Sequence, residues 1–404
     1  MKRARRVAAA ATSAQRRHVI LALLMGAFFS TMTARVVVNP LVPTITAVFG
    51  VTNGTIGFAL TGMWATYAVV QLPAGVLATR YGERPFVLVA LAITVLASVA
   101  LAAAPGYPSF VVAAALVGVG SGVYFPAAAS LLTRLFDDTG QVLGVHISGG
   151  DSAGVVVPVA ATSIAAVYGW RPALALGAVI GFPVLVLCTR YLDPTDPDQI
   201  ERDTRSLREI AAPATLIRLL SGRELLFTIA LGACLMFAFQ AVFSFFPTFF
   251  VEYWGVDPGV ASTFYAAIYL LWILTSPITG RISDAIGPDT VLVATTGCMI
   301  AGIALLLGTA TMAWAFVGTA LLGVGMSWGG VLASRLMTHI PSQDRSTGYG
   351  LARSLYVLLG SAGSVVTGTL AEISGWEVAY GVVAALLSVV VLALGLDRLL
   401  GLDL

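Results

Sequence analysis

The sequence predicts an all-α polytopic membrane protein with twelve transmembrane helices, arranged as two pseudo-symmetric six-helix bundles. First, the 404 residues are 58% hydrophobic and 10% charged, with a mean hydropathy of +0.92, whereas an ordinary soluble domain is ~25% charged. Second, apolar runs of ~20 residues, the length that crosses a ~30 Å hydrocarbon core, recur along the chain. Third, glycines of the first half recur in the second at a constant offset. The composition excludes an ordinary soluble domain.

Twelve apolar runs form two groups of six, separated by one polar segment. They cover about residues 18–46, 56–79, 86–104, 109–133, 140–166 and 172–191, then about 224–249, 259–282, 289–308, 312–337, 346–372 and 378–399. The predicted units are therefore a basic N-terminal tail at 1–17, a first bundle at 18–192, a polar linker at 193–223 and a second bundle at 224–404.

The distribution of Lys and Arg predicts the orientation. With the N-terminus placed inside, all but three of these residues fall in inner segments; Arg171 lies outside, and Arg35 and Arg353 lie within spans. Because inner loops of membrane proteins are enriched in Lys and Arg, we expect a multi-pass protein of the cell's inner (plasma) membrane with both termini in the cytoplasm.

The two halves repeat at an offset of 205 or 206 residues. The repeated pairs are Gly75/Gly280, Gly82/Gly287, Gly118/Gly323, Gly120/Gly325, Gly144/Gly350, Gly154/Gly360 and Gly169/Gly375. Six spans per half give both copies the same orientation, so the axis that relates them lies along the membrane normal. Parallel repeats of this kind build transporters whose site lies between the halves near the midplane.

Two loops carry a more specific pattern. Residues 75–84 read GVLATRYGER and residues 280–289 read GRISDAIGPD. These loops resemble the repeated motif of the major facilitator superfamily, which is Gly, three residues, Asp, a basic residue, any residue, Gly, any residue and a basic residue. The six-plus-six layout and the central linker match that family over essentially the whole chain. The resemblance implies a secondary transporter with alternating access.

In that family the loops help to hold the cytoplasmic side closed, so the resemblance implies a gating role for their matching positions. These are Gly75, Arg80, Gly82, Arg84, Gly280, Asp284 and Gly287. Both copies depart from the motif, since Thr79 replaces the first acid and the second copy has Ala285 and Asp289 where basic residues are usual. The alternative is that Arg80 and Arg84 only follow the positive-inside rule.

Arg35 and Asp151 are the charged residues that the sequence places deepest in the first bundle. A guanidinium inside a span costs roughly 2.5 to 3.5 kcal/mol on insertion scales and marks a pathway or a partner. The residue equivalent to Arg35 in the second half is Gln240. In the family, spans one and seven line the central cavity, so Arg35 with Gln240 resembles an anion-recognising pair. An arginine can hold carboxylate or phosphate by two parallel hydrogen bonds.

Asp151 is the candidate coupling site, because a carboxylate at the midplane must be paired, solvated or protonated. It can alternatively neutralise Arg35. His146 is a second coupling candidate, since histidine changes charge between pH 5 and 8, but about 140° of helix separates it from Asp151. Arg353 is predicted to close the cytoplasmic gate against Asp284 or Asp344, with a second anion contact as the alternative.

The remaining predicted substrate contacts are polar or aromatic residues at membrane depth, namely Asn39, Tyr124, Tyr265, Trp328 and Tyr356. The first hypothesis is transport of a small organic or inorganic anion by a monomer, driven by a proton, cation or exchanged-solute gradient. The alternatives are export of hydrophobic or cationic compounds and a transporter-like sensor without flux. We expect no cofactor, metal site or nucleic-acid partner, and no enzymatic activity, because the corresponding motifs are absent from the sequence.

Overall fold

The computed structural model describes residues 2–193, 222–340 and 345–402, with side chains from residue 15 onward except at 345 and 346. The first six spans are Gln15–Phe49, Asn53–Tyr81, Glu83–Ala103, Tyr107–Leu135, Thr139–Tyr168 and Trp170–Tyr191. The other six lie in Arg223–Glu252, Pro258–Ile286, Pro288–Gly308, Met312–Thr338 and the long segment Thr347–Leu400. The predicted all-helical, twelve-span fold is confirmed. The predicted linker 193–223 lies outside the described residues except at its ends.

The long C-terminal segment contains two spans, the eleventh and the twelfth, because its helix is interrupted at Gly375. This residue has φ 84° and ψ 166°, almost the same conformation as Gly169 between the fifth and sixth spans. Gly82 and Gly287 likewise share φ values of 86° and 90° in the two repeated loops. Glycine is required at these turns because side chains disfavour positive φ. The repeated glycines of the sequence are therefore repeated backbone conformations.

Each half contains an ion pair between the start of its third span and the end of its fourth. In the first half Arg134 contacts Glu83 at 2.8 Å. In the second half Arg335 contacts Asp289 at 2.5 Å and also donates to the Thr228 hydroxyl. Asp289, the departure from the family motif, thus provides the acid of an ion pair within its own half.

The two halves are joined tightly on the side where residues 50–52 lie, here called the outer side. The Thr61 hydroxyl of the second span donates to the Ser361 carbonyl at 2.9 Å and accepts from the Val365 amide at 3.1 Å. A Cβ at Gly57 would lie 2.6 Å from the Ser364 carbonyl oxygen. Small residues let helices approach this closely. The structure is therefore closed on the outer side.

Breaks in three spans fall at the level of the central cavity. The helix of the first span ends at Val36, before a 3₁₀ turn at Asn39–Leu41 that contains Pro40. The fifth span is divided at Ser152. The tenth is divided between Gly325 and Trp328. Irregular backbone at membrane depth is tolerated where it lines a cavity or is buried in protein.

Candidate functional site

A cavity of about 200 Å³ lies between the halves. It is lined by spans one, two, four and five of the first half and by spans seven, eight, ten and eleven of the second, which are equivalent sets under the repeat. Pockets for drug-sized ligands are typically ~300–1,000 Å³, so the size of this cavity suits a smaller molecule.

One side of the cavity is formed by Arg35, Tyr67 and Arg353, here called the cationic wall. The Arg35 guanidinium lies 4.7 Å from the centroid of the Tyr67 ring. Arg353, from the opposite half, donates to the hydroxyl of the same tyrosine at 3.3 Å and to Gln71 Oε1 at 2.7 Å. Cations are attracted to the faces of aromatic rings. Tyr67 therefore holds two guanidinium groups close together.

Arg35 is 4% exposed and lies in the last turn of the first-span helix. A second ring, that of Trp64, has its centroid 5.0 Å from the guanidinium, and one terminal nitrogen contacts the Met32 sulfur at 2.6 Å. Its Nε has no hydrogen-bond partner in the structure. Rings and a thioether accept hydrogen bonds weakly, so this guanidinium retains unused donor capacity.

Asp151 is the carboxylate among the described residues that line the cavity. It is 8% exposed and lies within electrostatic range of both Arg35 and Arg353. Within the described residues, neither an ion pair nor a hydrogen bond to its carboxylate is found, so the alternative pairing of Asp151 with Arg35 is not formed in this structure. With Asp151 ionised, these three groups carry one net positive charge.

A second side of the cavity consists of Phe239, Phe243, Tyr269 and Trp272, here called the aromatic wall. The centroid distances from Phe243 are 4.1 Å to Phe239, 4.7 Å to Tyr269 and 5.8 Å to Trp272. The wall meets the first half where Phe239 lies 6.2 Å from Trp64. The aromatic run of the seventh span, residues 239–246, is the sequence feature that could have identified this wall.

Gln240 also lines the cavity. Its side chain is fully buried, and neither its Oε1 nor its Nε2 has a hydrogen-bond partner in the structure. The indole nitrogen of Trp328, at the break in the tenth span, is likewise buried without a partner. A buried polar group left unsatisfied costs about 1–3 kcal/mol. Both groups are therefore available to a molecule in the cavity.

Arg35, Asn39, Gln240, Trp328 and Tyr356, five of the seven predicted substrate contacts, line the cavity. Tyr124 and Tyr265 are not among the lining residues. The Tyr124 hydroxyl donates to the Leu24 carbonyl at 2.5 Å and stabilises the first bundle. The Tyr265 hydroxyl donates to the Phe243 carbonyl at 2.9 Å and accepts from Asn39 at 2.8 Å, so it joins the halves.

The two coupling candidates are separated as the helical geometry indicates. Asp151 faces the cavity, whereas His146 is fully buried elsewhere, with its ring centroid 5.1 Å from that of Phe28. Neither ring nitrogen of His146 has a hydrogen-bond partner in the structure. His146 therefore does not line the cavity itself, and it packs against Phe28, which does.

The expected contact between Arg353 and Asp284 is not formed in this conformation, which is closed on the outer side, so the gating role of Arg353 stays a prediction. Arg353 reaches across to the second span because it lies at cavity depth, and Asp284 is exposed in its loop. Asp344 lies outside the described residues. Arg353 instead lines the cavity, which is the position that its alternative predicted role, a second contact for an anion, requires.

The other predicted gating residues remain in their own loops. Arg84 donates to the Thr189 carbonyl at 3.0 Å within the first half, and Arg80 is exposed, 5.7 Å from the ring centroid of Tyr81. Gly75 faces Pro126 of the same half, whereas Gly280 has open space beside it. These contacts of Arg84, Arg80 and Gly75 lie within the first half.

The family model described as Major Facilitator Superfamily matches residues 24–363 and 251–399. This chain belongs to the major facilitator superfamily. The match extends over both repeats, in agreement with the two bundles and the loops at 75–84 and 280–289. The cavity lies between these two repeats.

The chain is similar to several named transporters. It is 26% identical to a probable sulfoacetate transporter of Cupriavidus necator over 285 residues, which are 67% of this chain and 65% of that protein. It is 24% identical to a probable 4-methylmuconolactone transporter of Cupriavidus pinatubonensis, over 84% of this chain and 81% of that one. The chain therefore spans just under two thirds of the length of the sulfoacetate transporter. Among solved structures, a mutant of the nucleoside transporter NupG superimposes with a TM-score of 0.78 at 13% identity, covering 94% of this chain and 98% of that chain, which shows the fold.

Proposed function

We propose that this superfamily member is a secondary active transporter that carries a small organic anion by alternating access. The observation that supports this most directly is the pair of arginines, Arg35 and Arg353, that face one buried cavity from opposite halves. A buried charge is costly unless it is paired. Two guanidinium groups beside one carboxylate, that of Asp151, leave a positive charge that an anion would neutralise.

The geometry also suits alternating access. An anion held by arginines from both halves links the two bundles, so its binding energy depends on how the halves are arranged. Rocking of the halves around a fixed central site then carries the anion from one side to the other. The similarity to a probable sulfoacetate transporter supports an anionic cargo.

Asp151 is the proposed coupling site. Protonation of its carboxylate would remove a negative charge from the neighbourhood of Arg35 and Arg353, which favours anion binding. Coupling between two ligands is reciprocal, so anion binding favours protonation to the same extent. This arrangement supports symport of a proton with the anion. We further propose a location in the cell's inner membrane with both termini in the cytoplasm, following the distribution of Lys and Arg.

The test compares anions with lipophilic cations as stabilisers of the purified full-length protein in a thermal-shift assay. A ligand that binds the native state raises its apparent stability, by about 2.7 kcal/mol at 100 times the Kd. The variants are Arg35→Gln and, as a matched control, Arg171→Gln, which removes the same charge from an exposed position at the start of the sixth span, where Arg171 lies against Trp170. Anions that stabilise the protein are then tested for uptake into proteoliposomes.

We expect stabilisation by one or more anions that Arg35→Gln abolishes and Arg171→Gln retains, with uptake by the wild type. Stabilisation by cations that is unaffected by Arg35→Gln would contradict the proposal and support the exporter alternative, with Asp151 as the cation contact. Anion binding without uptake would instead support the sensor alternative.

A further inference from the structure

The chemistry of the cavity walls narrows the class of anion, an inference that rests on the proposed function. The cationic wall offers the unused donors of Arg35 beside Arg353, and Asp151 reduces their combined charge. With Asp151 ionised, a single negative charge balances the site, whereas a dianion leaves an uncompensated charge in a buried cavity. The ionised state of Asp151 therefore favours a monoanion.

The aromatic wall constrains the body of that anion. Phe239, Phe243 and Tyr269 are each at least nine-tenths buried, and their rings, with Trp272, form a continuous apolar face. Aromatic pairs prefer offset-stacked or edge-to-face contacts with centroids 4.5–7 Å apart. A ring on the ligand would extend this cluster. A polyhydroxylated sugar acid would instead place several hydroxyl groups against ring faces, and on this wall only the Tyr269 hydroxyl and the Trp272 indole N–H can form hydrogen bonds.

Gln240 constrains the polar groups of the ligand other than its charged group. It belongs to the same span as Phe239 and Phe243, and its buried amide has an unused donor and an unused acceptor. The equivalent position in the first half holds Arg35, so at this pair of repeated positions one half has a charged side chain and the other a neutral one. A hydroxyl group can both donate to and accept from such an amide.

We propose that the substrate is an aromatic monocarboxylate that carries one neutral hydroxyl group on its ring. The carboxylate contacts Arg35 and Arg353, the ring contacts the aromatic wall and the hydroxyl contacts Gln240. A molecule with one six-membered ring also suits a cavity of about 200 Å³.

The experiment measures Kd for four probes, 4-hydroxybenzoate, benzoate, succinate and glucuronate, on the purified full-length protein. Binding is followed by the fluorescence of the native tryptophans, since Trp64, Trp272 and Trp328 line the cavity. The variant is Gln240→Leu. Its matched control is Thr248→Val, because Thr248 lies on the same span, is fully buried with an unpartnered hydroxyl, and does not line the cavity.

We expect the wild type to bind 4-hydroxybenzoate at least about fivefold more tightly than benzoate, the effect of one hydrogen bond of about 1 kcal/mol, since each 1.4 kcal/mol is tenfold. Gln240→Leu reduces this ratio towards one, and Thr248→Val keeps it. Tighter binding of succinate or glucuronate, dependent on Arg35, would overturn this inference while leaving the anion transporter intact. So would a ratio that Gln240→Leu does not change. Absence of Arg35-dependent binding by all four probes would overturn both proposals. The comparison of the four probes on the wild type decides the substrate class even if Gln240→Leu does not fold.

Discussion

Tyr67 and Arg353 belong to different halves of the protein, and the tyrosine hydroxyl accepts a hydrogen bond of 3.3 Å from the arginine. The ring of Tyr67 lies at the same time beside the Arg35 guanidinium. One neutral side chain therefore sets the separation of the two cations proposed to bind the anion. Since Arg353 also donates to Gln71, both of its neighbours on the second span fix its position.

We predict that Tyr67→Phe weakens anion binding about fivefold. The substitution keeps the ring beside Arg35 and removes the hydroxyl that positions Arg353, a loss of about 1 kcal/mol for one hydrogen bond. Kd is measured by fluorescence titration with the anion found in the screen. Tyr124→Phe is the control, because its hydroxyl bonds the Leu24 carbonyl away from the cavity. Equal effects of the two substitutions would show that Tyr67 contributes only to folding.

We predict that Gly57→Leu slows transport by impairing closure of the outer side. A side chain at Gly57 meets the backbone of the eleventh span, and overpacking of this kind costs about 1–3 kcal/mol. The ratio of outer-closed to outer-open molecules should fall roughly 5- to 150-fold. Uptake into proteoliposomes and spin-label distances between the outer loops provide the two measurements.

Gly62→Leu is the matched control for this experiment, because Gly62 lies on the same span with nothing within 4 Å of its Cβ position. We expect it to retain uptake and the wild-type distances. If Gly57→Leu also retained both, the close contact between the second and eleventh spans would not control the opening of the outer side.

The number and order of the spans followed from the sequence because hydrocarbon thickness fixes the length of each apolar run. Arg35, Gln240 and Asp151 could be placed at the cavity because polar groups inside spans turn towards the bundle interior. The directions of Tyr124 and Tyr265 could not be predicted in the same way. A span that is apolar all round gives no periodic signal for its inner face, and a tyrosine can satisfy its hydroxyl at a backbone carbonyl, as both of these residues do.

The contacts of Arg353 show a second limit of the sequence. Its depth in the eleventh span was compatible with either the gate or the cavity, and its partners, Gln71 and Tyr67, are on the second span. No local pattern connects residues so far apart in the chain. The tertiary arrangement of the two halves shows that Arg353 lines the cavity in this conformation.

We predict that Asp289→Asn lowers the free energy of unfolding by roughly 1–3 kcal/mol. Arg335 is only 2% exposed, and the substitution removes the charge that it contacts at 2.5 Å; hydrogen bonds to charged groups contribute about 1.5–3 kcal/mol. Thermal unfolding in detergent is the measurement. Asp284→Asn is the control, since this aspartate is exposed in the same loop. An equal change in melting temperature for both variants would indicate a general effect of loop charge.

We predict that anion binding strengthens as the pH falls, by at most about tenfold per pH unit for one coupled proton. A neutral Asp151 leaves the charges of Arg35 and Arg353 uncompensated, and these charges favour binding of the anion. Asp151→Asn, which is permanently neutral, should bind the anion with little dependence on pH and lose the proton uptake that accompanies transport. The measurements are Kd as a function of pH and proton movement in proteoliposomes. His146→Gln should keep the pH dependence, because His146 does not line the cavity. A pH dependence that persists in Asp151→Asn and disappears in His146→Gln would assign the coupling to the histidine, through a conformation in which its ring reaches the site.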